Sequence, residues 1–77
     1  MLGEPVVAPT AYRHGISIED TLHAYRNAMY FTVGADDLDM AIGPARNGTI
    51  LEVGFIRTGG GEVVILHSMP ARKKFLR

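Results

Sequence analysis

Residues 50–77 read ILEVGFIRTGGGEVVILHSMPARKKFLR, and this stretch decides the fold. Ile50 to Arg57 alternates, with Leu51, Val53, Phe55 and then Arg57 to one side, as a strand does. Gly59-Gly60-Gly61 is a flexible turn, and Glu62 to Met69 is a second strand, so the pair predicts an antiparallel hairpin. Apolar residues run from Val63 to Leu66 and resume at Met69, which implies cover on both faces of that strand. At Pro70 the polarity reverses into Arg72, Lys73, Lys74 and Arg77. A rigid strand therefore delivers one imidazole, His67, and then a cationic hook.

Working backwards, Leu38, Met40 and Ile42 alternate with Asp39 and Ala41 as a half-buried strand. Gly43 to Gly48 joins it to Ile50 and contains Asn47-Gly48, the strongest short hairpin signal. Tyr30 to Val33 is a short β-prone run, and Gly34-Ala35-Asp36-Asp37 is the turn out of it. Ser17 opens a helix over 18–27, with Asp20 in the place usually held by the Glu of a capping box. Ile18, Leu22, Tyr25 and Met29 form its apolar face, and Glu19, His23, Arg26 and Asn27 fall opposite. Thr10 is placed to cap a short turn through His14, which Gly15 stops. Residues 1–9, with Pro5 and Pro9, read as an extended or frayed lead-in. The predicted class is α+β: one or two N-terminal helices packed on one face of a three- to four-stranded antiparallel β-meander, with a short C-terminal basic tail. Residues 1–77 form one small domain.

At 77 residues and 47% hydrophobic, the chain has enough apolar matter for a core but a large apolar area for its surface. A homo-oligomer or an obligate partner is expected on that ground. No cysteine is present, so neither a disulfide framework nor a thiolate metal site is available. The N-terminal residues carry no positive n-region and no apolar run long enough for a signal or a membrane span, which predicts a cytoplasmic protein. Net charge is zero but unevenly spread: residues 1–45 carry six acids against two bases, and residues 46–77 six bases against two acids. That asymmetry points to a surface for a polyanion, or one that an acidic partner covers, against the plainer reading of scattered solvated charge.

The triple glycine leads into a strand and lacks a following Gly-Lys-Ser/Thr, so it is a turn and not a phosphate loop. The three histidines, with Asp36, Asp37 and Asp39, match no metal-ligand spacing, and no metal or cofactor is expected. Ser17 and Ser68 stand in no nucleophile-elbow context. Cleavage of RNA suits the residues better, because the ribose 2′-hydroxyl is an internal nucleophile. The protein has only to hold the phosphate, stabilise its charge and move protons. Arg46, Arg57, Arg72 and Lys74 are candidate cations, and His67 and His14 are candidates for a general acid or base, the work to which an imidazole is suited. Arg57 and His67 lie on adjacent strands of one hairpin and are expected to share a face. The residues alone leave a second reading open, in which His67 is a satisfied core histidine and the cations are solvated.

Three segments bear a family resemblance. Arg13-His14-Gly15-Ile16-Ser17-Ile18-Glu19-Asp20 resembles the Lys-His-Gly-Val-Ser opening of the BrnT-like toxins. Ile42-Gly43-Pro44, through Gly48 to Leu51-Glu52-Val53, is similar to their central hairpin, and His67-Ser68-Met69-Pro70-Ala71-Arg72 to their strand end, Arg-Ile-Ile-Ser-Ala-Arg. The resemblance covers most of residues 13–74. It implies a compact RelE-like fold and the toxin role in a type II toxin–antitoxin pair. That role is a metal-independent RNA endonuclease, acting on free or ribosome-associated RNA, that inhibits translation and is neutralised by a small antitoxin protein. Carried over by position, family arginines fall on Arg72 and Arg57, and the basic residue before His-Gly on Arg13. With the residues read from their own chemistry, His67, Arg57 and Arg72 are the catalytic candidates, while Arg13, His14, Arg46, Lys73 and Lys74 are the candidates for RNA phosphate. The family's extra N-terminal strand and its Trp have no counterpart here, and His67 stands where the family has an arginine. A missing edge strand favours a homo-oligomer or an antitoxin complex. The rival classes are a non-catalytic oligomeric protein-binding module and a nonspecific nucleic-acid binder derived from the same fold.

Overall fold

The computed structural model describes residues 4–34 and 37–76, so residues 1–3 of the expected lead-in, Ala35 and Asp36 of the expected turn and Arg77 of the basic tail lie outside the described residues. The class is α+β, with one α-helix on a five-stranded mixed sheet. In chain order the elements are β1 (Val6–Val7), a 3-10 turn (Pro9–Tyr12), α1 (Ile18–Arg26), β2 (Tyr30–Val33), β3 (Asp39–Pro44), β4 (Ile50–Arg57), β5 (Val63–Pro70) and a second 3-10 turn (Lys73–Phe75). The sheet order is β1-β5-β4-β3-β2; β2 to β5 run antiparallel and β1 pairs parallel with β5.

The lead-in therefore corrects the expected three- to four-stranded meander. Val6 and Val7 lie opposite Val64 and Ile65, and the Ala8 N–H donates to the Ile65 carbonyl at 2.8 Å. An apolar strand such as β5 has main-chain groups to satisfy on its outer edge. Pro5 and Pro9, which cannot donate to a ladder, bracket the pairing and hold it to these residues. The expected second helix is only the 3-10 turn at Pro9–Tyr12, and Thr10 does not cap it. Its hydroxyl instead donates to the Leu66 carbonyl at 2.8 Å. Gly15 ends the segment in the left-handed region, at φ 74°.

Ser17 caps α1 as expected, its Oγ accepting the Asp20 N–H at 3.1 Å. The buried face of α1 is turned from the expected one. Leu22 and Tyr25 pack against the core as expected, but Thr21 and Ala24 are the fully buried positions, and Ile18 and Met29 are exposed. Close approach explains the change: a Cβ on Gly43 of β3 would stand 2.3 Å from the Ala24 carbonyl oxygen and 2.9 Å from the Ala28 Cα. Helix and sheet meet backbone to backbone, which favours the smallest side chains in the contact. His23, expected in solvent, is half-buried and donates from Nδ1 to the Pro44 carbonyl at 2.8 Å.

Between sheet and helix, Ala41, Leu51, Val53, Phe55 and Ile65 pack with Ala11 and Ala24. On the opposite face Met40 and Ile42 pack with Phe75 from the second 3-10 turn. Both faces of β3 are thus covered. Ala45 to Thr49 closes the Asn47-Gly48 hairpin with Gly48 at φ 90°, and Thr58 to Glu62 closes the glycine turn.

Candidate functional site

The ladder between β4 and β5 changes register partway. Arg57 opposes Val63 and Phe55 opposes Ile65, but Gly54 opposes His67, so Leu66 is an extra residue. Continued without this bulge, the pairing would set His67 opposite Val53, on the face of α1 and of Arg57. The bulge turns His67 to the other face. Arg57 remains at the far end of β4 on the Phe55 side, its Cζ 5.8 Å from the centre of that ring. The expected shared face of Arg57 and His67 does not form.

His67 meets Glu52 instead. Glu52 is fully buried, although it points from the middle of the sheet. Its Oε1 accepts the Arg72 main-chain N–H at 2.8 Å and Nε at 3.0 Å; its Oε2 accepts Arg72 Nη2 at 2.8 Å and His67 Nε2 at 3.0 Å. Burial by itself raises the pKa of the carboxyl. The Arg72 side-chain and backbone hydrogen bonds, with that of His67, outweigh burial and hold it below its ordinary value. An ionised carboxylate only accepts, so His67 Nε2 donates to it. The Arg72 guanidinium, raised above its ordinary value by the hydrogen bonds to Glu52, also lies 5.6 Å from the Phe75 ring centre. Lys74 reaches the same ring at 5.1 Å, and Tyr30 donates its hydroxyl to the Phe75 carbonyl. The basic hook is thereby anchored to the sheet.

The loop after the first 3-10 turn brings His14 beside this group. Its ring centre is 5.7 Å from that of His67, with the planes at 76°. Two imidazoles thus stand together at the β5 side of the sheet, one oriented by a buried carboxylate and the other exposed to solvent. Gly54 makes the space, since a Cβ there would stand 3.0 Å from the His67 Cβ. Behind His67, Ser68 faces α1 and shares a buried hydrogen bond with Thr21 at 2.7 Å, which ties β5 to the helix.

Of the expected site residues, the fold brings together His67, Arg72 and His14. Arg13 is exposed next to His14, and Lys73 and Lys74 are exposed beyond Arg72. Arg46 is engaged elsewhere. It donates to Asp20 from its main-chain N and from Nε, lowering the Asp20 pKa through the side-chain bond first. Glu52 is the residue that sequence reasoning missed. Its signal was a single acid between Leu51 and Val53, followed two residues on by Gly54.

A separate cavity of about 320 Å³ lies along α1, lined by Glu19, Leu22, His23, Arg26, Asn27 and Arg46. Among the described residues no three His, Asp or Glu side chains gather as a metal site, and no helix is long and apolar enough to cross a membrane. The chain matches no protein-family model, no curated protein and no solved structure.

Proposed function

We propose that the chain is a metal-independent endoribonuclease and the toxin of a toxin–antitoxin pair, with its active site at His67 and His14. The observation that carries this reading is the pair of adjacent imidazoles, one of them held by the ionised Glu52. Two of the segments that resemble the BrnT-like toxins, 13–20 and 67–72, supply this cluster. A small antitoxin and an RNA, free or on the ribosome, are the partners proposed on that resemblance.

His67 Nδ1 takes the proton of the ribose 2′-hydroxyl as its oxygen bonds to phosphorus. His14 gives a proton to the departing 5′-oxygen as the P–O5′ bond breaks. The products are a 2′,3′-cyclic phosphate and a 5′-hydroxyl, and no external reactant is consumed. Glu52 stabilises the imidazolium formed at His67, as the orienting carboxylate of a triad does. Arg13, Lys73 and the N–H groups of Arg72 that Glu52 leaves unused supply positive charge to the phosphate.

Purified protein is incubated with RNA, with and without ribosomes and in the presence of a chelator, beside His67→Ala and His14→Ala. Cleavage leaving cyclic-phosphate ends, reduced about 100- to 10,000-fold by either substitution, is the expected result. RNA left intact by folded protein, together with no growth defect on expression, overturns the reading. The mutual satisfaction of Glu52 and Arg72 favours a second reading, in which the cluster is a structural staple in a non-catalytic binding module. Nucleic-acid binding that falls steeply with salt, without cleavage, would mark the nonspecific binder instead.

A further inference from the structure

Among the described residues nothing pairs with the outer edge of β2. β2 pairs with β3 along one side only, and from Asn27 to Gly34 the chain carries neither a charge nor a proline to block edge-to-edge pairing. Met29, Phe31 and Val33 stand at alternate positions and are 59%, 57% and 71% exposed. α1 lies over β3 and β4. The Phe31 ring touches Phe55 and Tyr25 at centroid distances of 6.1 and 6.4 Å, and the rest of it faces water. The Gly34 N–H donates to the Leu38 carbonyl at 2.7 Å, which sets the phase of the β2–β3 ladder. By the alternation of antiparallel pairs, the N–H and C=O groups of Phe31 and Val33 point away from β3.

We propose that β2 is a homodimer interface. Two copies pair their β2 strands antiparallel about a twofold axis through Thr32, with Phe31 of each copy opposite Val33 of the other. The outward N–H and C=O groups of these residues then bond to one another, and one sheet runs through both copies with the two helices on the same face. A second copy is the occupant because the outward-bonding residues are symmetric about Thr32. The strand is also neutral, so it neither recruits a charged partner nor repels its twin. At the other edge β1 is a two-residue strand between Pro5 and Pro9, and the 3-10 turn follows it along β5. Pairing through β2 therefore closes at a dimer. This inference stands apart from the chemistry proposed for Glu52 and the two histidines.

The register makes a prediction specific to Thr32. A residue on the axis forms a non-hydrogen-bonded pair with itself, with Cα atoms about 4.5 Å apart, which suits a disulfide. The native chain has no cysteine, so Thr32→Cys introduces a single thiol per copy. Sedimentation equilibrium of the wild type should give a concentration-dependent dimer that Val33→Lys, at an already exposed position, converts to monomer. Under mild oxidation Thr32→Cys should form a covalent dimer, and Leu76→Cys, at an exposed site elsewhere, should not. A wild type that stays monomeric at all concentrations overturns the proposal. So does a dimer that Val33→Lys leaves intact, or one in which Leu76→Cys cross-links and Thr32→Cys does not.

Discussion

Replacing Glu52 with Gln tests whether the buried carboxylate holds the C-terminal hook and His67 in place. The substitution preserves shape and leaves one acceptor oxygen, but it removes the charge and turns an amide NH2 toward donors that now have no acceptor. Bonds to both side chains and to the Arg72 main chain, at 2.8–3.2 Å, are at stake. A fully buried ion pair broken on one side costs about 3–5 kcal/mol. Here the Arg72 side chain is half exposed and regains water, so the loss is nearer to about 2–3 kcal/mol. Against a total stability of roughly 4–12 kcal/mol for a chain of this length, that is a large fraction. It lowers Tm by about 10–20 °C. The folded-state pKa of Glu52 is depressed, so its contribution is present above the unfolded carboxyl value, about pH 4.3, and is lost as pH falls through the folded value. Thermal melts from neutral pH down to the acid limb should show the wild type approaching Glu52→Gln as the pH drops. A mutant that melts with the wild type at neutral pH, or a gap that does not narrow in acid, refutes the reasoning.

Thr21→Val leaves the buried Ser68 hydroxyl without its partner and should cost about 1–3 kcal/mol by urea unfolding. The double variant with Ser68→Ala should lose less than the two single losses added together. Gly43→Ala sets a methyl against main-chain atoms of α1 and should cost at least about 1–3 kcal/mol, seen as a lowered Tm with loss of near-ultraviolet ellipticity. If the enzyme reading holds, Arg57→Ala should cleave RNA at the wild-type rate, because Arg57 stands on the α1 face at the far end of β4 from Glu52. Cleavage as deeply reduced as in His67→Ala would move the site to the other face of the sheet.

Local chemistry written in adjacent residues determined much of the fold. The Ser17 cap, the Asn47-Gly48 and triple-glycine hairpins, and the runs at 30–33 and 50–57 all lie where the sequence alone sets them, because capping, turn geometry and strand alternation depend on neighbours a few positions away. The cations of the hook were equally legible. Tertiary structure alone decided the rest. The pairing of Val6 and Val7 with β5 joins segments more than fifty residues apart, and no local signal marks it. The face of α1 that is buried follows from how closely Gly43 lets the helix approach, not from which residues are most apolar. Above all, the extra residue at Leu66 reverses the side of the sheet that His67 faces. One register step separates an imidazole beside Arg57 from an imidazole on Glu52, and long-range pairing rather than residue type makes that choice.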